Sequence, residues 1–513
     1  MSTLTYILGW PLLGAGLVAL IPRNYRFVIR IIALLTTFLS MLLAVKMFLQ
    51  FQTGLTIPQF AQKVSWVESL GISYYVGVDG LNVGLVLMGA MAAFAATCVS
   101  WEIKDRPKEF YFLLLVMIGG VLGTFASLDI FLFFLFHELA LIPTFIMIGV
   151  WGRGADKNYA TFQITLYLTV GALVALVGLV ALYVQSGART FDMIQLTQQL
   201  RANPLSVNAQ HLIFPFLLFG FGILVSLWPF HTWAPLGYGA APTATAMLHA
   251  GVLKKFGLYG LIRIALPMLP EGAQSWLHVI SILCLGNILY VGLVAIRQKE
   301  LNLLIGNSSV AHMGFIFLGV ASLNLIGITG AVVVMIAHGF LAALSFALSG
   351  YLYQQTGTLE MKDWGGLLRK LPFVGAAFVM AALAACGLPG FANFVGEVMV
   401  FFSAWKPFPV VTVLALWGGL VIGAVYMLRA VRAAVHGPLP EKWNNVTDAS
   451  AWRKVPFVLL LGGLIILGCF PRLLTDKIRP NVEEIVKLAT RAPVQAAQPV
   501  KTAAAPQGAG AKE

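Results

Sequence analysis

Six ionisable residues stand inside long apolar runs: Glu138, Lys254, Lys255, His312, His338 and Glu397. An ammonium in hydrocarbon costs roughly 2.5–3.5 kcal/mol or more. A carboxylate there either finds a partner or takes up a proton. Acids, amines and imidazoles distributed in this way suit the stepwise transfer of protons through an apolar medium. Lys255 lies about 14 positions into a span from about Ala241 to Leu266, roughly 20 Å deep at 1.5 Å per residue and beyond easy snorkelling reach. Glu138 lies about nine positions into the run from Asp129 to Val150, roughly 14 Å deep and close to mid-bilayer.

Each group also has a plainer reading. Either lysine can snorkel, Glu138 can stay protonated and join two helices by a hydrogen bond, and a lone membrane histidine can be a satisfied packing residue. His312 in SSVAHMGFIFLGV and His338 in VVVMIAHGFLAALSF sit mid-span on neighbouring helices, where Ser308, Ser309 and Ser345 can hold waters. His137 should project about 100° from Glu138 on an ideal helix, and so face another helix rather than pair with it.

The elements that must hold these groups are membrane helices. The chain has 513 residues, 59% hydrophobic and only 10% charged, with a mean hydropathy of +0.87. It reads as an all-α polytopic membrane protein of about fourteen transmembrane helices. They begin near Leu4, Phe27, Asp79, Glu109, Asp129, Lys157, His211, Ala241, Trp276, Leu301, Leu325, Pro372, Pro409 and Val455. The first has no basic leader and is read as a retained helix. The longest stretches outside the membrane are Gln52–Val76, Ser186–Gln210, Gln355–Leu371 and the tail after Thr475, expected to be disordered beyond Lys487.

Net charge is +13, but the basic residues lie in short loops, where they report topology and not a nucleic-acid surface. With both termini outside, Arg23, Lys104, Arg153, Lys299, Lys370, Arg432 and Lys454 all fall on the inside. Cys98, Cys284, Cys386 and Cys469 have no ligand-like spacing, and there is no dinucleotide fingerprint or P-loop. No redox cofactor, metal or nucleotide is expected in this chain.

Two interruptions recur. Trp228-Pro229-Phe230-His231 and Leu388-Pro389-Gly390-Phe391 each break an apolar helix, which is tolerated at depth only where the backbone lines protein or water. Each falls in the fourth span of a set of five, counted from Glu109 and from Trp276. The expected organisation is N-terminal helices over 1–108, repeats over 109–270 and 271–435, a last helix over 436–475 and a tail over 476–513.

From about Gly71 to Lys454 the chain resembles the antiporter-like M chains of bacterial complex I, NADH:quinone oxidoreductase, equivalent to subunit 4 of the mitochondrial enzyme. The resemblance rests on GISYYVGVDGLN, the mid-span Glu138 followed by a proline, WPFHTWAP, APTATAMLHAGVLKKFGLYGLIR, SSVAHMGFIFLGV and GLPGFANFVGE. It implies two inverted five-helix repeats, a bacterial inner-membrane location, sister antiporter-like chains as partners, and proton movement along a central polar axis driven by quinone reduction elsewhere. It also implies roles: Glu138 as the fifth-helix glutamate, Lys255 as the central lysine, His312 and His338 as the relay, and Glu397 as the exit group. The sister chains and Mrp-type antiporter subunits typically carry lysine at the position of Glu397.

One departure matters. The seventh-helix lysine that usually pairs with the fifth-helix glutamate is replaced by Leu224, the proline two residues on is Ser226, the usual LPDAH is APLGY over Ala234–Tyr238, and an additional lysine stands at Lys254. Lys254 should point about 100° away from Lys255, toward a neighbouring helix. It is the expected substitute partner of Glu138, directly or through water. The alternatives are a subunit of an Mrp-type Na⁺/H⁺ antiporter, and a complex I subunit retained structurally without pumping.

Overall fold

The computed structural model describes residues 2–490. Its helices are α1 (Thr3–Leu20), α2 (Arg26–Gln50), α3 (Val83–Val99), α4 (Pro107–Ala126), α5 (Ile130–Trp151), α6 (Lys157–Ser186), α7 (Met193–Ala202), α8 (Val207–Val225) and α9 (Trp233–Ala240). They continue as α10 (243–268), α11 (Pro270–Arg297), α12 (Leu301–Ala321), α13 (Leu325–Thr356), α14 (Pro372–Ala385), α15 (Ala392–Trp405), α16 (Pro409–Val435), α17 (Ala451–Cys469) and α18 (Arg472–Ala489). Twelve helices among the described residues are long and apolar enough to cross a membrane, so the chain is a multi-pass membrane protein. The expectation of about fourteen spans counts two more, α10 and the broken pair α14–α15.

Three stretches read as extramembrane carry structure of their own. Gln52–Val76 holds most of an antiparallel hairpin, β1 (Gln59–Val67) with β2 (Ile72–Val78), in which Lys63 lies opposite Tyr75. Ser186–Gln210 holds α7, capped by Asp192, whose carboxylate accepts from the N–H groups of Ile194 and Gln195. The tail begins as α18, which runs past Lys487 to Ala489. The rest of the expected disordered tail, 491–513, lies outside the described residues.

Contacts sort the loops onto two ends. At the basic end Arg23 pairs with Glu109 at 2.6 Å, Arg153 with Glu102 at 3.6 Å, and the Trp443 indole donates to the Asp363 carbonyl. At the hairpin end Lys63 pairs with Asp192 at 2.6 Å, and Lys477 donates to the Phe51 carbonyl. The bundle is layered between them. In α12 and α13, 94% of the most apolar window is buried, and in the span containing α3 89%, against 33% in α17. Lys254, Lys255, His312 and His338 therefore sit on central helices walled by others.

Both breaks are built from local chemistry. After α8, Ser226 takes a left-handed φ of 69°. The buried Asn287 amide then satisfies the interrupted backbone: its Oδ1 accepts from Trp228 N–H at 2.8 Å, and its Nδ2 donates to the carbonyls of Ser226 and Val310 at 2.9 and 3.0 Å. Between α14 and α15, Gly387 and Gly390 have φ of +67° and +97°, where a side chain would be strained.

Candidate functional site

Four of the six sequence-predicted residues meet in one line through the core. Lys255 Nζ donates to the carbonyl of Ala250 at 2.6 Å and to Nδ1 of His338 at 2.8 Å. The rings of His338 and His312 are 5.4 Å apart between centroids. His312 Nδ1 lies 2.7 Å from the Ser308 carbonyl, which can only accept, so that nitrogen carries the proton. The other ring nitrogen, Nε2, lies 3.8 Å from Glu397 Oε1. All four are buried.

Tautomers follow from these partners. An ammonium at Lys255 leaves His338 protonated on Nε2. A neutral His312 keeps an open lone pair on Nε2, toward Glu397. Among the described residues His312 Nε2 and Glu397 Oε1 have no hydrogen-bond partner, and neither has the Asn393 amide one turn before Glu397 on α15. A β-carbon at Gly387 would lie 2.5 Å from Glu397 Oε2, so the carboxylate rests against the second break, where only glycine leaves room.

The other two residues lie apart. Lys254 is buried, but its ammonium donates to the Ser309 carbonyl on α12 at 3.1 Å and stands 5.4 Å from the Tyr238 ring. It makes no contact with Glu138. The reason is a π turn over His249–Leu253, which adds a residue to the turn before Lys254 and shifts the phase that an ideal helix predicts. Glu138 pairs with His137, Nδ1 to Oε1 at 3.2 Å, with its side chain 31% exposed on the flank of the bundle. Contrary to the 100° expectation, the adjacent residues pair here. His137 also packs edge-on to Phe256 at 5.6 Å. Leu224, at the position of the absent lysine, is buried among apolar residues.

Sequence reasoning passed over His249 and the Asp79–Arg263 pair. His249 is buried with both ring nitrogens unpartnered, 5.4 Å from the Tyr238 ring and within electrostatic range of Lys254, His137 and Lys255. Its signal was a histidine one and a half turns before the lysine pair. Asp79 is buried and accepts from Arg263 at 2.6 Å and from Asn481 at 3.3 Å.

A central line of lysine, histidines and glutamate flanked by two broken helices defines an antiporter-like membrane subunit, and comparison with known proteins agrees. The family model described as NADH:quinone oxidoreductase/Mrp antiporter, TM matches residues 127–423, and the chain belongs to that family. It is 34% identical over 509 residues to the NAD(P)H-quinone oxidoreductase chain 4 of Gloeobacter violaceus, covering 97% of this chain and 95% of that one. It is equally 34% identical to the NADH-quinone oxidoreductase subunit M of Rhodobacter capsulatus, over 95% of this chain and 96% of that one. Its fold matches a chain of respiratory complex I from Thermus thermophilus with a TM-score of 0.87 and 28% identity, covering 95% and 99% of the two. A chain of the Mrp complex from Dietzia shares the fold at a TM-score of 0.80, with 20% identity and 52% of its own length covered.

Proposed function

We propose that this chain is a proton-translocating membrane subunit of a respiratory NADH:quinone oxidoreductase, in which quinone reduction by other subunits drives protons along the Lys255–His338–His312–Glu397 line. The observation that carries the reading is the 2.8 Å contact between Lys255 and His338, continued by His312 to Glu397. A proton on Lys255 can pass to His338 and on to His312 Nε2. From there it reaches Glu397, which lies beyond the second break toward the hairpin end. Shifting charge near Lys255 changes which of these groups holds the proton, and that is the handle for coupling.

The first half works differently from the family pattern. With Leu224 in place of a lysine, Glu138 is read as relayed through His137 and His249 to the Lys254–Tyr238 pair, not as one arm of a direct ion pair. Its half-open flank is read as the face covered by a neighbouring membrane subunit. The basic end is read as the inner face of a bacterial inner membrane, with both termini outside and the two halves as inverted repeats. The redox centres are assigned to other subunits.

The test is Lys255→Ala in the assembled complex. Proton movement per donor oxidised should fall to background, with coupled quinone reduction lowered about 10²-fold, as for loss of a positioned proton carrier. Wild-type pumping by an assembled variant rejects the reading and leaves a structural subunit. Sodium-dependent pH change without donor oxidation favours the antiporter alternative.

A further inference from the structure

One half-buried carboxylate at the basic end is not part of the central line. Glu300 caps α12, its Oε1 accepting from Asn302 N–H at 3.1 Å and its Oε2 from Leu303 N–H at 3.0 Å. It also lines a cavity of about 460 Å³ at the basic end. Arg153, Asp156, Tyr159, Tyr353 and Glu360 share the lining.

From this cavity the fold leads inward in one short step. A β-carbon at Gly239 on α9 would stand 4.0 Å from Glu300 Oε2, so the α9 backbone passes directly beside the carboxylate. The next residue inward is Tyr238, fully buried, with a hydroxyl that has no partner. Its ring lies 5.4 Å from Lys254 Nζ and 5.4 Å from the His249 ring. Cavity, carboxylate, orphan hydroxyl and buried amine thus follow one another from water to core.

We propose that Glu300 is the proton-collecting carboxylate of the basic end, taking protons from cavity water and delivering them past Tyr238 to Lys254. The inference rests on the proton-translocating reading above. Each passage moves one proton: the carboxylate gains it from water, a water beside the Tyr238 hydroxyl carries it on, and the neutral amine of Lys254 becomes an ammonium. Glu300 is thereby returned to carboxylate.

The surroundings suit that task. Burial pushes the Glu300 carboxyl up to about 7, against the N–H groups of Asn302 and Leu303; the nearby Glu360 carboxylate adds to the rise and Arg153 opposes it. The acid is therefore largely protonated below about pH 7 and largely ionised above it. Glu360 reaches the site through an isolated bridge with Glu300, and Arg153 is held by Glu102 and by the Thr243 hydroxyl at the start of α10.

A capping residue alone would account for the two backbone contacts, so the experiment separates capping from transfer. Turnover and proton uptake per assembled complex are measured from pH 6 to pH 9 for wild type, Glu300→Gln, Glu300→Asp and Lys255→Ala. Glu300→Gln, which keeps an acceptor for the cap, should lose about tenfold in turnover and the inflexion near neutral pH, while Glu300→Asp keeps the inflexion. The expected loss is smaller than the ~10²–10⁴-fold of an acid or base in a chemical step, because cavity water still reaches Tyr238. An unchanged pH profile in Glu300→Gln overturns the inference. So does an effect confined to the amount of complex assembled. If Lys255→Ala loses pumping while Glu300→Gln does not, the uptake assignment alone fails; if Lys255→Ala pumps normally, the functional reading fails with it.

Discussion

Lys255 Nζ lies 2.8 Å from His338 Nδ1, across 83 residues of chain. The contact joins α10 to α13, one of the two most buried spans, and so ties together residues of the two expected repeats.

Glu397→Gln should keep the complex assembled and lower its turnover by about tenfold or more, because glutamine preserves shape and hydrogen bonding but cannot titrate. Quinone reduction coupled to proton release on the hairpin side is the measurement. Wild-type release would move the exit to another group.

Lys254→Leu should reduce proton uptake while sparing the Lys255–His338 contact, because the two ammonium groups have separate partners in Ser309 and His338. Stopped-flow uptake in vesicles reads the effect. If Lys254→Leu matches wild type, protons reach Lys255 by another path.

Exposed Leu135, Ile142 and Ile146 share a face of α5 with the half-open Glu138. A cysteine at Leu135 should cross-link to a neighbouring membrane subunit in the intact complex and resist a lipid-borne thiol reagent. Ready labelling would mean that Glu138 faces lipid.

Asn287→Ala removes three hydrogen bonds at the first break and leaves Trp228 N–H and the Ser226 carbonyl unpaired in the core. Each unsatisfied group costs about 1–3 kcal/mol. The purified complex carrying Asn287→Ala should melt several degrees lower, visible in a thermal scan, and an unshifted transition would show that water replaces the amide.

The line through Lys255, His338, His312 and Glu397 was legible because charges inside apolar runs are costly and therefore rare, so each stands out. Directions were less legible. The aim of Lys254 depends on a π turn that no residue pattern in HAGVLKK announces, and the His137–Glu138 contact depends on side-chain torsions, not on helical phase. Glu300 was invisible for a different reason: near a span end a charge reads as topology, and only the cavity and the passing α9 backbone distinguish it. The β1–β2 hairpin escaped because its residues alternate poorly, its exposed strand carrying Val64 and Trp66 outward.

The Asp79 carboxylate is held by Arg263, 184 residues later, and by Asn481, 402 residues later. A ribosome adding about 5–20 residues per second needs on the order of 20–80 s to make the stretch between Asp79 and Asn481. During that interval α1 to α3 are already made, with a carboxylate that gains Arg263 about midway and Asn481 only at the end. The Asp79 cluster is therefore complete only when α18 arrives. A nascent chain released before Asn481 would carry the Lys255–His338–His312–Glu397 line complete and its Asp79 knot open.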